Sequence, residues 1–112
     1  MDCIFCKIIK GEIPSSKVYE DEEFIVIKDV NPQAPVHLLA IPKEHFASVA
    51  ELNDERAVVV GKMVKKLAEI AGDNGLDDGF RIITNKGKHG CQSVAHLHLH
   101  LLGGRQLDEK MG

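Results

Sequence analysis

His96-Leu97-His98-Leu99-His100-Leu101-Leu102 alternates imidazole with leucine through its first six residues. Period-two alternation marks a β-strand with one face buried, because successive side chains point to opposite sides. On this reading Leu97, Leu99 and Leu101 enter a core, and His96, His98 and His100 share the other face. At about 3.3 Å per residue, neighbouring histidines stand roughly 6.6 Å apart at the backbone and the outer pair about 13 Å. Two such histidines can chelate one metal, but three on a flat strand hardly reach the same ion. A row of imidazoles that titrate near neutral pH instead offers a nucleophile flanked by proton carriers and hydrogen-bond donors. The plain alternative is a surface strand whose polar face happens to be histidine.

Working outward, Asn85, Gly87, Gly90, Gln92 and Ser93 precede the strand with amides, a hydroxyl and flexible backbone, groups that suit a phosphate. His89 in the same loop reads as solvated. Phe80-Arg81-Ile82-Ile83-Thr84 is a strand, preceded by a Gly/Asp/Asn turn over 72–79. Phe24-Ile25-Val26-Ile27 is a continuous β-favouring run, and Val18-Tyr19-Glu20 a short strand joined to it by an acidic turn. Asn31-Pro32-Gln33-Ala34-Pro35 must be a loop, since its two prolines restrict themselves and their predecessors. His37-Leu38-Leu39-Ala40-Ile41 is a further strand, closed by Pro42. Residues 3–13 form a short helix or turn ended by Pro14. Asn53 or Asp54 can cap a long helix over 55–71. Its apolar positions Val60, Met63, Val64, Leu67, Ile70 and Ala71 predict one buried face. The pattern is α+β: an antiparallel sheet of about five strands, one long helix and a short N-terminal helix.

The chain has 112 residues, with 44% hydrophobic and 28% charged, which fits one folded domain over 1–112. A net charge of -3 argues against a dedicated DNA binder, which would display a basic face, and 4% aromatics leave few base-stacking platforms. No basic stretch followed by an apolar one opens the chain, and no apolar run approaches the ~20 residues of a membrane span. A soluble cytoplasmic protein with no nucleic-acid or membrane partner is expected. Three cysteines, an odd number, argue against a disulfide framework. Cys3-x-x-Cys6 supplies two thiolates that can bind one zinc, given two further ligands. A redox dithiol is the rival, without a thioredoxin-like βαβ pattern around it. Cys91 stands alone.

The run Gly90-Cys91-Gln92-Ser93-Val94-Ala95-His96-Leu97-His98-Leu99-His100-Leu101-Leu102-Gly103-Gly104-Arg105 resembles the histidine-triad signature, His-φ-His-φ-His-φ-φ with φ apolar. Asp29-Val30-Asn31-Pro32-Gln33-Ala34-Pro35-Val36-His37 and Ile41-Pro42-Lys43-Glu44-His45 resemble its upstream blocks. The likeness runs from about Ile4 to Gln106 and is nearest the nucleotide-binding (Hint) branch.

The resemblance implies a HIT-like fold and a hydrolase or transferase of purine nucleoside phosphoramidates and aminoacyl-adenylates. It implies His98 as nucleophile, with His100 and His37 around the phosphate oxygens. Asn85, Gln92 and Ser93 would stand in the phosphate and leaving-group region, Asp29 on the ribose hydroxyls, and Phe5, Ile8, Val30 and Leu39 about the base. Relatives complete the zinc site with residues that correspond here to His45 and His96, giving a closed structural Cys₂His₂ set. They also pair as homodimers through the long helix and the sheet edge, a contact for which Val58 and Val59 are surplus apolar residues. Cys91 replaces a usual glycine and reads as structural. The given chain ends Met111-Gly112, without the Trp-Pro-Pro-Gly common in that branch.

Each role has a plain counterpart. Asp29 could only cap its turn, Phe5 and Ile8 could be ordinary core, and His37 could be a satisfied buried histidine. Beside the phosphoramidase stand two other readings, a nucleotide-binding regulatory module with little turnover and a metallohydrolase chelating through His96 and His98. The intact set of His37, His98 and His100 favours the enzyme, since a mere binder needs no nucleophile.

Overall fold

The computed structural model describes residues 3–110. Met1, Asp2, Met111 and Gly112 lie outside the described residues, and so do the readings placed on the two ends of the chain. In chain order the elements are α1 (Ile4–Ile9), β1 (Lys17–Glu20), β2 (Phe24–Lys28), β3 (Val36–Pro42), a 3₁₀ turn (Val49–Glu51), α2 (Asp54–Asp73), β4 (Phe80–Ile83) and β5 (Leu99–Gly103). The strands form one antiparallel sheet in the order β1-β2-β3-β5-β4, so the α+β expectation of five strands, one long helix and one short helix holds.

Alternation within the central strands sends side chains to two separate apolar layers. Phe24, Val26, Leu38, Ala40, Leu99 and Leu101 pack with Met63, Leu67 and Ile70 of α2. Ile25, Ile27, Leu39 and Ile41 point the other way and pack with Phe5 and Ile8 of α1. The sheet is thus buried on both faces, which explains why β2 and β3 read as continuous apolar runs.

α2 begins where Asn53 Oδ1 accepts from the Arg56 backbone N–H at 2.8 Å, an N-cap that satisfies one orphan donor. At its other end Gly75 takes φ +72, the left-handed region that lets a chain leave a helix cheaply. One expectation fails on this helix: Val64 is 41% exposed rather than buried. The buried stripe is Met63, Leu67, Ile70 and Ala71, and Val64 stands about 100° round the axis from Met63.

The histidine strand is also shorter than its sequence pattern. The ladder of β5 starts at Leu99, not His96, although the alternation of faces continues back to Leu97. The reason is competition for backbone partners. Leu97 N–H donates to the Phe46 carbonyl at 2.8 Å, the Pro42 carbonyl is taken by the His96 ring, and Thr84 Oγ1 donates to the His98 carbonyl at 2.9 Å. Those bonds bend 96–98 out of the ladder and set both rings and loops around it.

Candidate active site

Two groups of side chains occupy the α1 face, one around His96 and one around His98 and His100. The first joins α1 to the loop after β3. Cys3 is the N-cap of α1 and Cys6 lies one turn on, so both thiols share a face of the helix. His45 follows Pro42 at the end of β3, and His96 is wholly buried beneath them. The His96 Nε2–H donates to the Pro42 carbonyl at 2.8 Å, since a carbonyl can only accept. That bond leaves the Nδ1 lone pair of the neutral ring facing Cys3 Sγ at 3.4 Å, Cys6 Sγ at 3.6 Å and His45 Nδ1 at 3.1 Å. Cys6 Sγ is 3.3 Å from His45 Nδ1, and all four ligand atoms lie within 4.8 Å of one another. A tetrahedral ion with ligands at about 2.0–2.3 Å has edges of roughly 3.3–3.8 Å. Two sulfurs and two imidazole nitrogens at these spacings fit such an ion, with no fifth position left for substrate. Burial, then the Cys3 thiol beside it, pushes the Cys6 thiol above its ordinary value, a cost that a dication at the centre would remove.

The second group is built from β5, β3 and the loop before β3. His98 is 3% exposed, and its Nδ1–H donates to the carbonyl of His96 at 2.8 Å, so the Nε2 lone pair is free. The Phe5 ring meets the His98 ring edge-on with centroids 5.0 Å apart, which holds its plane. The His100 ring stands 5.0 Å from the His98 ring. His37 Nε2 and His100 Nδ1 are 2.9 Å apart. Because the Gln33 backbone N–H donates to His37 Nδ1 at 3.0 Å, the proton of neutral His37 sits on Nε2. His100 Nδ1 therefore accepts, and its own proton sits on Nε2. Asp29 Oδ2 lies 3.3 Å from His37 Nε2, while Oδ1 accepts from the Asn31 N–H at 2.8 Å. Asp29 thus caps its turn and faces the histidines at once. Burial, then the neighbouring His98 and His37, lowers His100 to about 4. Burial also lowers His37, against the opposing pull of Asp29.

The loop over 84–95 carries the remaining polar groups. Gln92 Oε1 accepts from Gly87 N–H at 2.9 Å, and its Nε2 donates to the carbonyls of Ala47 and Val94 at 2.6 and 2.9 Å. Both ends of that amide are spent, so Gln92 braces the loop against the segment after His45 instead of presenting a free amide to a nucleotide. Asn85 Nδ2 donates to the Gly90 carbonyl at 2.8 Å. Gly90 is needed there, because a Cβ would stand 2.5 Å from the Lys86 carbonyl oxygen. Cys91 adopts φ +59, the left-handed conformation that glycine would take without strain, and its side chain is exposed. Ser93 is exposed at the end of the loop.

The apolar residues expected about a base divide. Phe5, Ile8 and Leu39 are buried together in the α1 layer beneath the histidines. Val30 is 98% exposed on the turn beside Asp29 and packs against none of them. The residues that pattern reading missed act through backbone groups: the Gln33 amide and the Pro42 and His96 carbonyls. No side-chain signal marks them.

Comparison with known proteins bears on the family and the fold. The family profile "Scavenger mRNA decapping enzyme C-term binding" matches residues 2–112. The chain is 53% identical to Protein HitA of Neisseria gonorrhoeae over 102 residues, covering 91% of this chain and 95% of that one. It is 47% identical to a 14 kDa zinc-binding protein of Zea mays over 107 residues, covering 94% and 84%. Among solved structures it superposes on a HIT family hydrolase from Clostridium thermocellum with TM-score 0.93 and 50% identity, covering 98% of this chain and 96% of that one.

Proposed function

Because this chain belongs to the histidine-triad (HIT) family, we propose that it is a nucleotide-binding hydrolase that cleaves purine nucleoside 5′-phosphoramidates and aminoacyl-adenylates to the nucleoside monophosphate. The observation that carries the reading is the set of ring tautomers. His98 is held with a bare Nε2, and the pair His37 and His100 is held with a donor Nε2–H on His100. A nucleophile and an adjacent donor are what displacement at phosphorus needs.

In the first half-reaction His98 Nε2 bonds to the α-phosphorus as the bond from phosphorus to the leaving atom breaks, a nitrogen in a phosphoramidate and a carboxylate oxygen in an aminoacyl-adenylate. The nitrogen departs with a proton from solvent, delivered on the side of the exposed Ser93 hydroxyl, and the carboxylate departs as the anion. His100 Nε2–H and the Asn85 region bear the charge on the phosphate oxygens. In the second, water attacks phosphorus, the bond to His98 breaks, and the water proton returns to solvent. Asp29 keeps lone pairs for the ribose hydroxyls, and the apolar layer of Phe5, Ile8 and Leu39 backs the base.

Cys3, Cys6, His45 and His96 would hold a structural zinc, in keeping with a relative described as zinc-binding. It would lock His96 and, through the His96 carbonyl, the ring of His98; it supplies no step of the chemistry. The same family reading makes the protein a homodimer. Support comes from the free edge of β4, where Phe80 is exposed, and from Val58 and Val64, both exposed on α2.

The test is a turnover assay with an adenosine 5′-phosphoramidate, run with and without EDTA. Hydrolysis that persists in EDTA supports the reading and removes the metallohydrolase alternative. Tight AMP binding with no turnover of any adenylate would replace the enzyme with a regulatory nucleotide binder.

A further inference from the structure

Cys3 is the N-cap of α1 and Cys6 its third helical residue, the two positions that a capping side chain normally spans. Cys3 makes no capping hydrogen bond; its sulfur stands in the cluster with Cys6, His45 and His96 instead. Both thiols are only half-buried, so a small polar oxidant reaches them from solvent, whereas His96 beneath them is closed off. The two sulfurs lie within 4.8 Å of each other, against about 2.0 Å in a disulfide. Joining them takes side-chain rotation and a tightening of the first turn of α1.

Phe5 stands between the two cysteines in that turn. Its ring meets His96 edge-on with centroids 5.9 Å apart and His98 edge-on at 5.0 Å. It is buried with Ile8 and Leu39, and a close-packed layer transmits a displacement of one member to the next. A second route is the His96 main chain, whose carbonyl accepts from His98 Nδ1–H. The state of the two thiols is therefore felt at His98 from two directions.

We propose that Cys3 and Cys6 form a redox switch: a peroxide joins them as a disulfide, the zinc they would hold is released, and Phe5 and His96 carry the change to His98. The proposal rests on the zinc and nucleotide readings for what is released and what is affected. One thiolate attacks a peroxide oxygen, the O–O bond breaks and hydroxide leaves, which makes a sulfenic acid. The second thiolate attacks that sulfur, the S–S bond forms and a second hydroxide leaves. Two electrons pass from the sulfurs to the peroxide. The disulfide sulfurs no longer carry the anionic charge that ligated the metal, and His45 and His96 alone are half of a closed tetrahedral set.

The experiment measures the zinc content of freshly purified protein and then adds hydrogen peroxide. Free zinc is followed with a chromogenic chelator, the Cys3–Cys6 link by peptide mapping after alkylation, the His98 ring by nitrogen-15 NMR, and AMP affinity by calorimetry. About one zinc should be released for each disulfide formed, and the His98 ring signals should move. AMP affinity should fall roughly three- to tenfold, the scale of one aromatic contact. Dithiothreitol with added zinc should reverse every change, which separates the switch from methionine oxidation. Cys91→Ser should respond as the unaltered protein does, because Cys91 is exposed and lies outside the cluster. Oxidation that ends at sulfinic acid or at Cys91, without a Cys3–Cys6 disulfide, overturns the proposal. So does a disulfide that leaves both the His98 signals and AMP affinity unchanged. A protein without zinc that still forms the disulfide and moves the His98 signals defeats the zinc reading alone. Moved signals in a protein that binds no AMP in either state defeat the nucleotide reading alone.

Discussion

The Nδ1–H of His98 donates to the backbone carbonyl of His96 at 2.8 Å. The residue proposed as a zinc ligand and the residue proposed as the nucleophile are thereby joined by one hydrogen bond, through main chain. His96 is itself fixed by the Pro42 carbonyl and crowded by two thiols and an imidazole. Anything that frees its ring also loosens the segment that dictates which nitrogen of His98 is bare.

Freshly purified protein should therefore contain about one zinc per chain, bound by two sulfur and two nitrogen ligands. Cys3→Ser or Cys6→Ser should lower the melting temperature more than it lowers the chemical step. Metal analysis that finds no zinc in unchelated protein would sink this prediction, and X-ray absorption would report the ligand set.

His98→Ala should lose several orders of magnitude in turnover while still binding AMP, because it leaves the residues proposed for binding, Asp29 and the apolar layer, intact. His37→Ala and His100→Ala should each cost about 2.7–4 kcal/mol of transition-state stabilisation, the range for one lost donor to a charged transition state. Two displacements invert phosphorus twice, so the overall stereochemistry should be retention. Rapid quenching into alkali followed by peptide mapping should find the nucleotide on His98. A label on another residue, or full activity in His98→Ala, would defeat the mechanism.

Acid should destabilise the fold through the buried imidazoles. His100 is lowered to about 4 in the folded chain from 6.5, so between those values the unfolded chain binds more protons. Stability from this group is complete above about pH 6.5 and is lost as the pH falls toward about 4. His37, lowered in the same direction, adds to the slope. Urea unfolding from pH 7.5 to 4.5 should show the decline, and His100→Asn should flatten it. An equally steep decline in the variant would mean that other groups carry the effect.

Gln92→Ala removes the brace between the loop over 84–95 and Ala47. It leaves the Ala47 carbonyl and the Gly87 N–H without their partner, at about 1–3 kcal/mol for each such group that stays buried. The variant should melt lower and show faster amide exchange over 85–94, with KM raised more than kcat is lowered. Unchanged exchange would show that the loop holds its form without this side chain.

The dimer prediction concerns the outer side of α2 and the free edge of β4. Sedimentation at micromolar concentration should give a particle of twice 12.3 kDa. Val58→Glu together with Val64→Glu should shift it toward the single chain, since both side chains are exposed in the isolated fold and cost little there. A 12.3 kDa particle in the unaltered protein would rule the dimer out.

Local pattern was enough for much of this. Leu97, Leu99 and Leu101 against His96, His98 and His100 determine which side of the chain enters the α2 layer, because a strand's side chains can only alternate. The spacing of Met63, Leu67, Ile70 and Ala71 determines one helix face in the same way, and Asn53 its start. What pattern could not reach are the bonds made by main-chain groups. The carbonyls of Pro42 and His96 and the N–H of Gln33 are chemically the same in every residue, and only the fold decides which ring each one meets. Those bonds choose the tautomer of three histidines. Gln92 was legible as a polar loop residue, but its role as a brace required Ala47, 45 positions away, to be brought within 2.6 Å. Periodicity is a property of neighbours along a chain; tautomer and electrostatic context belong to neighbours in space.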